Sequence, residues 1–191
     1  MRIRRTLRFS LLALTAVPVA HAHPGHGPAD LAAGFSHPFT GWDHLLAMVA
    51  VGLWAAQAGG RTRWLLPLSF VSAMLVGAAA GIAGLAPAGV DSLIVGSVLI
   101  LGLLVAGAVS LPPLFGCSLA ALAGAFHGLA HGAEMPLQAD SIRFLAGMVA
   151  GTALLHAAGF FGGLLAARHS RAIVRFAGVG VAAGGLALLL G

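Results

Sequence analysis

Between Asp91 and Glu134 the chain runs for 42 residues, Ser92 to Ala133, without an Asp, Glu, Lys or Arg. As one α-helix, at 1.5 Å per residue, that stretch would reach ~63 Å, about twice the ~30 Å hydrocarbon core of a bilayer. A soluble domain would have to bury all of it, whereas a bilayer accepts it as two crossings. Pro112-Pro113 supplies the break, because proline lacks an N–H and its ring clashes with the preceding helical turn.

The rest of the chain agrees. Of 191 residues, 59% are apolar and 8% charged, against about 25% charged in soluble domains. So apolar a chain is not low-complexity disorder, and the single Cys117 excludes a disulfide scaffold. The formal charge of +5 would ordinarily suggest a nucleic-acid partner, but Arg2, Arg4, Arg5 and Arg8 all lie in the first eight residues. Residues 1–22 read as a cleavable secretory signal peptide: this basic start, an apolar stretch from Phe9 to Val19, then Ala20-His21-Ala22, whose small residues suit cleavage after Ala22. The alternative, an uncleaved first membrane helix, is disfavoured by length, since the apolar run is about 11 residues and a crossing needs ~20. Without the signal, six Arg face five acidic residues, so the basic excess belongs to targeting and no nucleic-acid partner is expected.

Residues 23–191 are then expected to form a single transmembrane helical domain, an all-α polytopic membrane helix bundle of about six helices. The spans fall near Phe39–Ala58, Trp64–Leu85, Asp91–Val109, Pro113–Gly132, Ile142–Ala166 and Ala172–Gly191. The last is the weakest, with 16 uncharged residues after Arg175. With the mature N-terminus periplasmic, Arg61, Arg63, Arg168, Arg171 and Arg175 face the cytoplasm and only Arg143 lies outside, a positive-inside distribution that suits a bacterial inner membrane. Asp30, Asp91, Glu134 and Asp140 then share the outer face. Small-xxx-small pairs (Gly77/Gly81, Gly128/Gly132, Gly147/Gly151, Gly159/Gly163, Gly180/Gly184) predict close helix packing. Membrane lipid is the expected surrounding, and a homo-oligomer is compatible with such a chain.

Nine histidines supply most of the remaining polarity. His127 and His131 are four apart and share a helical face, with Glu134 extending the stripe. Neutral imidazoles at this spacing can chelate a borderline divalent metal that a carboxylate captures; the alternative is that each histidine only bonds a neighbouring helix. An ionisable group within a span makes function the default hypothesis. His37, Asp43 and His44 enter the first span, and Asp43 can orient the adjacent imidazole. If a helix starts at Pro38, His37 and His44 are ~10 Å apart along its axis, successive stations and not one site. The alternative there is an interfacial helix start whose polar groups see water. By depth, the order His23/His26, His37, Glu134, Asp43/His44/His131, His127, His156 runs from the outside toward the membrane centre. His23 and His26 would be a metal-collecting tip, and His156 is a further candidate metal ligand that could equally be a packing residue. His169, between arginines, is expected in a solvated loop; Cys117, Met48, Met74 and Met148 are expected to be packing residues.

The segment Gly34-Phe-Ser-His37-Pro-Phe-Thr-Gly41-Trp-Asp43-His44-Leu-Leu-Ala-Met48 resembles the signature His-Pro-x-x-Gly-x-Asp-His of the HupE/UreJ family of nickel permeases. Phe126-His127-Gly128-x-x-His131-Gly132-x-Glu134 resembles the family's second motif. The resemblance implies a secondary transporter that brings nickel, sometimes cobalt, into cells making hydrogenase or urease. It assigns metal transit to His37, Asp43, His44, His127, His131 and Glu134. Ni²⁺ or Co²⁺ would be the transported substrate, and no permanently bound cofactor is expected. No enzymatic activity is expected either: the sequence has no Walker motif for ATP hydrolysis and no H-E-x-x-H string for a metalloprotease. The competing readings are a membrane haem protein using His44, His127 and His156 as axial ligands, and a metal-sensing or assembly protein. Ni²⁺, Co²⁺ and Zn²⁺ share ligand types, so the spacing alone does not choose among them.

Overall fold

The computed structural model describes residues 28–85, 87–135 and 140–191, with side chains from Asp30 onward. The expected signal peptide at 1–22 and the candidate tip residues His23 and His26 lie outside the described residues. Among those described there is no strand. Seven α-helices follow in order: α1 (Pro28–Ser36), then a 3₁₀ turn at His37–Phe39, α2 (Trp42–Ala58), α3 (Thr62–Ile82), α4 (Val90–Gly107), α5 (Pro113–Ala133), α6 (Ser141–His169) and α7 (Arg171–Leu190).

Helices α3 to α7 are each long and apolar enough to cross a membrane, and they coincide with the last five expected spans to within a few residues. Proline at the start of α5 marks the break in the uncharged run as expected. Asp140 caps α6 by accepting from the amides of Ile142 and Arg143, and Ser170 ends α6 and caps α7 through its hydroxyl.

The first span differs from expectation. The chain does not continue as a helix from Pro38: it breaks at Thr40-Gly41, and the segments Asp30–Phe39 and Trp42–Ala58 are bent by 78°. The cause is local. Both the amide and the hydroxyl of Thr40 donate to the His37 carbonyl, at 3.1 and 2.7 Å. That closes a tight turn in place of an α-helical one, and Gly41 then takes an extended conformation. Helix α2 restarts with 17 residues, about 26 Å, and α1 turns aside to pack on α6.

Three pairings organise the bundle: α3 with α5, α4 with α7, and α2 with α6. In the α3–α5 pair, Gly77 and Gly81 lie against the backbone of α5 at Ala125 and Leu129, while Gly128 and Gly132 lie against the carbonyls of Met74 and Ala78. Without side chains between them the backbones touch, which is how helices gain dispersion energy where lipid supplies no hydrophobic drive. Gly147/Gly151 meets α1, and Gly159/Gly163 meets α2. The pair Gly180/Gly184 is a correction: Gly180 faces open space, and α7 instead presents Gly178, Ala182 and Gly185 to α4. Met48, Met74 and Met148 are fully buried. Exposed Trp42 and Trp64 begin α2 and α3 at opposite ends of the bundle, where indole rings favour the membrane–water boundary.

Candidate metal site

The break at Thr40-Gly41 builds the site. On a continuous helix His37 and His44 would stand ~10 Å apart along the axis; instead the bend folds them together, with ring centroids 6.3 Å apart. The expectation that they form separate stations is therefore corrected. Gly41 makes the second contribution, since a Cβ there would meet the Asp43 carboxylate and the His44 ring.

Helix α5 supplies the opposite wall. His127 and His131 lie one turn apart, and each is followed by a glycine that is pressed on α3. The two stripes are offset by one residue, about 100° around the helix. Docking the glycine stripe on α3 thus fixes the rotation of α5 and turns the histidine stripe to α2. His127 and His131 are 0% and 1% exposed.

Four imidazoles from the 3₁₀ turn, α2 and α5 meet there. His37 and His131 have centroids 4.6 Å apart, His131 and His44 4.4 Å, and His44 and His127 5.0 Å. Two of the rings have their proton position fixed from behind. His44 Nδ1 lies 2.7 Å from Asp43 Oδ1, which also accepts the His44 amide at 2.8 Å. His127 Nδ1 lies 2.9 Å from the Ala123 carbonyl. Carboxylate and carbonyl oxygens only accept, so each Nδ1 carries the hydrogen and each Nε2 presents a lone pair, the arrangement in which imidazole ligates metal. His44 Nε2, His127 Nε2 and both nitrogens of His131 are buried without a hydrogen-bond partner among the described residues. Buried polar atoms are normally paired, so this cluster of orphaned nitrogens marks a site built for something else.

Toward the open end stands a mixed group. His37, His131 and Glu134 each offer a ligand atom, all within 4.8 Å of one another. His37 Nε2 is 3.8 Å from Glu134 Oε2, and Glu134 is 61% exposed. His131 belongs to both groups, so the arrangement is a graded one, with a carboxylate at the mouth and imidazoles below. Imidazole-rich sites suit Zn, Cu, Fe and Ni, and carboxylate adds borderline character.

The structure thus brings together all six residues of the two sequence clusters: His37, Asp43, His44, His127, His131 and Glu134. Asp43 stands behind His44. His156, on α6, is not among them. It is buried with both ring nitrogens unpartnered among the described residues, and the ring of Phe70 from α3 touches both it and His127. No sequence signal pointed to Phe70, one apolar residue on an apolar helix; Gly41 stood in the signature segment without a role assigned to it. His169 ends α6, exposed, with Nδ1 3.2 Å from the Leu165 carbonyl, and Cys117 is half-buried.

Comparison with known proteins agrees over nearly the whole length. The family described as HupE / UreJ protein matches residues 11–188. The chain is 41% identical over 185 residues to Protein HupE of Rhizobium leguminosarum bv. viciae, covering 95% of this chain and 96% of that protein. No solved structure matches the chain.

Proposed function

This chain belongs to the HupE/UreJ family, and on that premise we propose that it is a permease for divalent transition-metal ions. Nickel is the first candidate and cobalt the second, taken up across a bacterial inner membrane for hydrogenase or urease. The observation that carries the reading is the convergence of four imidazoles from separate elements, with unpartnered nitrogens in a bundle whose interior is mostly apolar.

The chemistry suits passage. Glu134 and His37 at the mouth attract a hydrated dication, and His131, His44 and His127 replace its water. Asp43 keeps the His44 lone pair aimed at the ion. The ligands come from three separate elements, the 3₁₀ turn, α2 and α5, so a small shift of one against another releases the ion. With the mouth on the periplasmic side, an inward-negative potential favours a dication by roughly 4.6 kcal/mol per 100 mV, at ~2.3 kcal/mol per elementary charge. That drive needs no ATP site. The haem reading is not favoured, because rings in contact at 4.4 to 5.0 Å leave no slot for a macrocycle.

Uptake of radiolabelled nickel by cells producing the protein tests this. His44→Ala and His127→Ala are each expected to lower uptake at least tenfold while the protein still inserts in the membrane. Competition by unlabelled cobalt and zinc ranks the substrates. Unchanged uptake in both variants would reject the route.

A further inference from the structure

The histidine rings do not end at His127. Phe70 stands 5.5 Å from His127 and 5.1 Å from His156, centroid to centroid, edge-on to the latter. From His37 through His131, His44, His127 and Phe70 to His156, each ring touches the next. Phe70 is fully buried and is the one link without a ligand atom. His156 has both nitrogens unpartnered. On its far side is an open groove of about 310 Å³ between α3 and α6, lined also by Pro67, Phe160 and the outward-facing Trp64, Leu68 and Phe161. Arg63, at the arginine-bearing end of the bundle opposite the mouth, lines that groove too.

On the transport reading above, we propose that His156 is an inner station for the same divalent transition-metal ion, and that the Phe70 ring is the barrier between it and the four-imidazole site. One further feature supports this. Pro67, inside α3 and three residues before Phe70, has no N–H for the Arg63 carbonyl, so α3 carries a missing hydrogen bond within one turn of the ring. An apolar constriction blocks ion passage because it offers nothing to replace the lost water. Displacing one phenyl ring connects the four-imidazole site to His156.

The test compares nickel binding to the purified full-length protein with ⁶³Ni²⁺ flux into proteoliposomes. His156→Phe is expected to keep nickel binding at the outer site within about twofold and to lower flux at least tenfold. Phe70→Ala is expected to keep binding and to raise downhill flux severalfold. Retained binding also reports that each variant is folded; if His156→Phe loses it, His156→Leu carries the same expectation. Wild-type flux through His156→Phe or His156→Leu, or unchanged flux through Phe70→Ala, overturns the proposal while leaving the permease reading intact. A wild-type protein that carries no nickel overturns the permease reading itself.

Discussion

Each imidazole of the site is held differently, and the difference sorts their roles. His44 and His127 are braced through Nδ1 by Asp43 and by the Ala123 carbonyl, so their Nε2 lone pairs are fixed before any ion arrives. His131 has neither nitrogen engaged among the described residues and touches both His37 and His44, so it belongs to the outer and inner groups alike. A bracing carboxylate contributes basicity as well as direction. Asp43→Asn keeps an oxygen for the His44 amide but removes the charge, and the expected outcome is about 10- to 100-fold weaker nickel binding in an inserted protein. Binding titrations of the purified variant measure it, and unchanged affinity would mean that Asp43 only starts the helix. The His127/His131/Glu134 stripe was legible because a helical period acts within one segment. The meeting of His37 with His44 was not, because Pro38 is as compatible with the start of a helix as with the tight turn that Thr40 closes.

At the scale of elements, packing of glycine on backbone decides which way α5 faces. Gly128 lies on the Met74 carbonyl, so a side chain there drives α5 off α3 and turns both histidines away from α2. Gly180 has the same kind of sequence context on α7 but faces open space. Gly128→Leu is expected to destabilise the fold by about 3 kcal/mol or more and to abolish nickel binding, whereas Gly180→Leu leaves both unchanged. Thermal unfolding of the two variants in detergent checks this; equal behaviour would show that the glycine stripe does not set the rotation. Spacing identified the small-residue pairs but did not say which face each pair meets. That depends on the partner helix, and Gly180 is where the pattern misleads. Helix α1 went unassigned for a similar reason. Nine residues with a glycine inside are short for an independent helix, and α1 is held through Leu31 and Phe35, packed on Gly147 and Gly151 of α6.

The whole molecule is polarised. The imidazole mouth shares its end of the bundle with Asp91, Glu134 and Asp140, while Arg61, Arg63, Arg168, Arg171 and Arg175 lie at the other end. Hydropathy sufficed to read the last five spans, since bilayer thickness constrains length directly. The pairing of α3 with α5 was not legible, because apolar faces of equal character do not choose partners. Polarity predicts topology. In a Cys117→Ser background, Ser92→Cys should react with a membrane-impermeant thiol reagent in intact cells, and His169→Cys only after permeabilisation. The reverse pattern would put the mouth in the cytoplasm and contradict the proposed periplasmic entry.

The account as a whole depends on a divalent ion being held by imidazole nitrogens from both sides of the α2–α5 gap. X-ray absorption of the nickel-loaded protein reads those ligands directly. The expected spectrum contains outer-shell scattering from at least three imidazole rings, reduced in both His44→Ala and His127→Ala. A spectrum of oxygen and water ligands alone, identical in the wild type and the two variants, would contradict it.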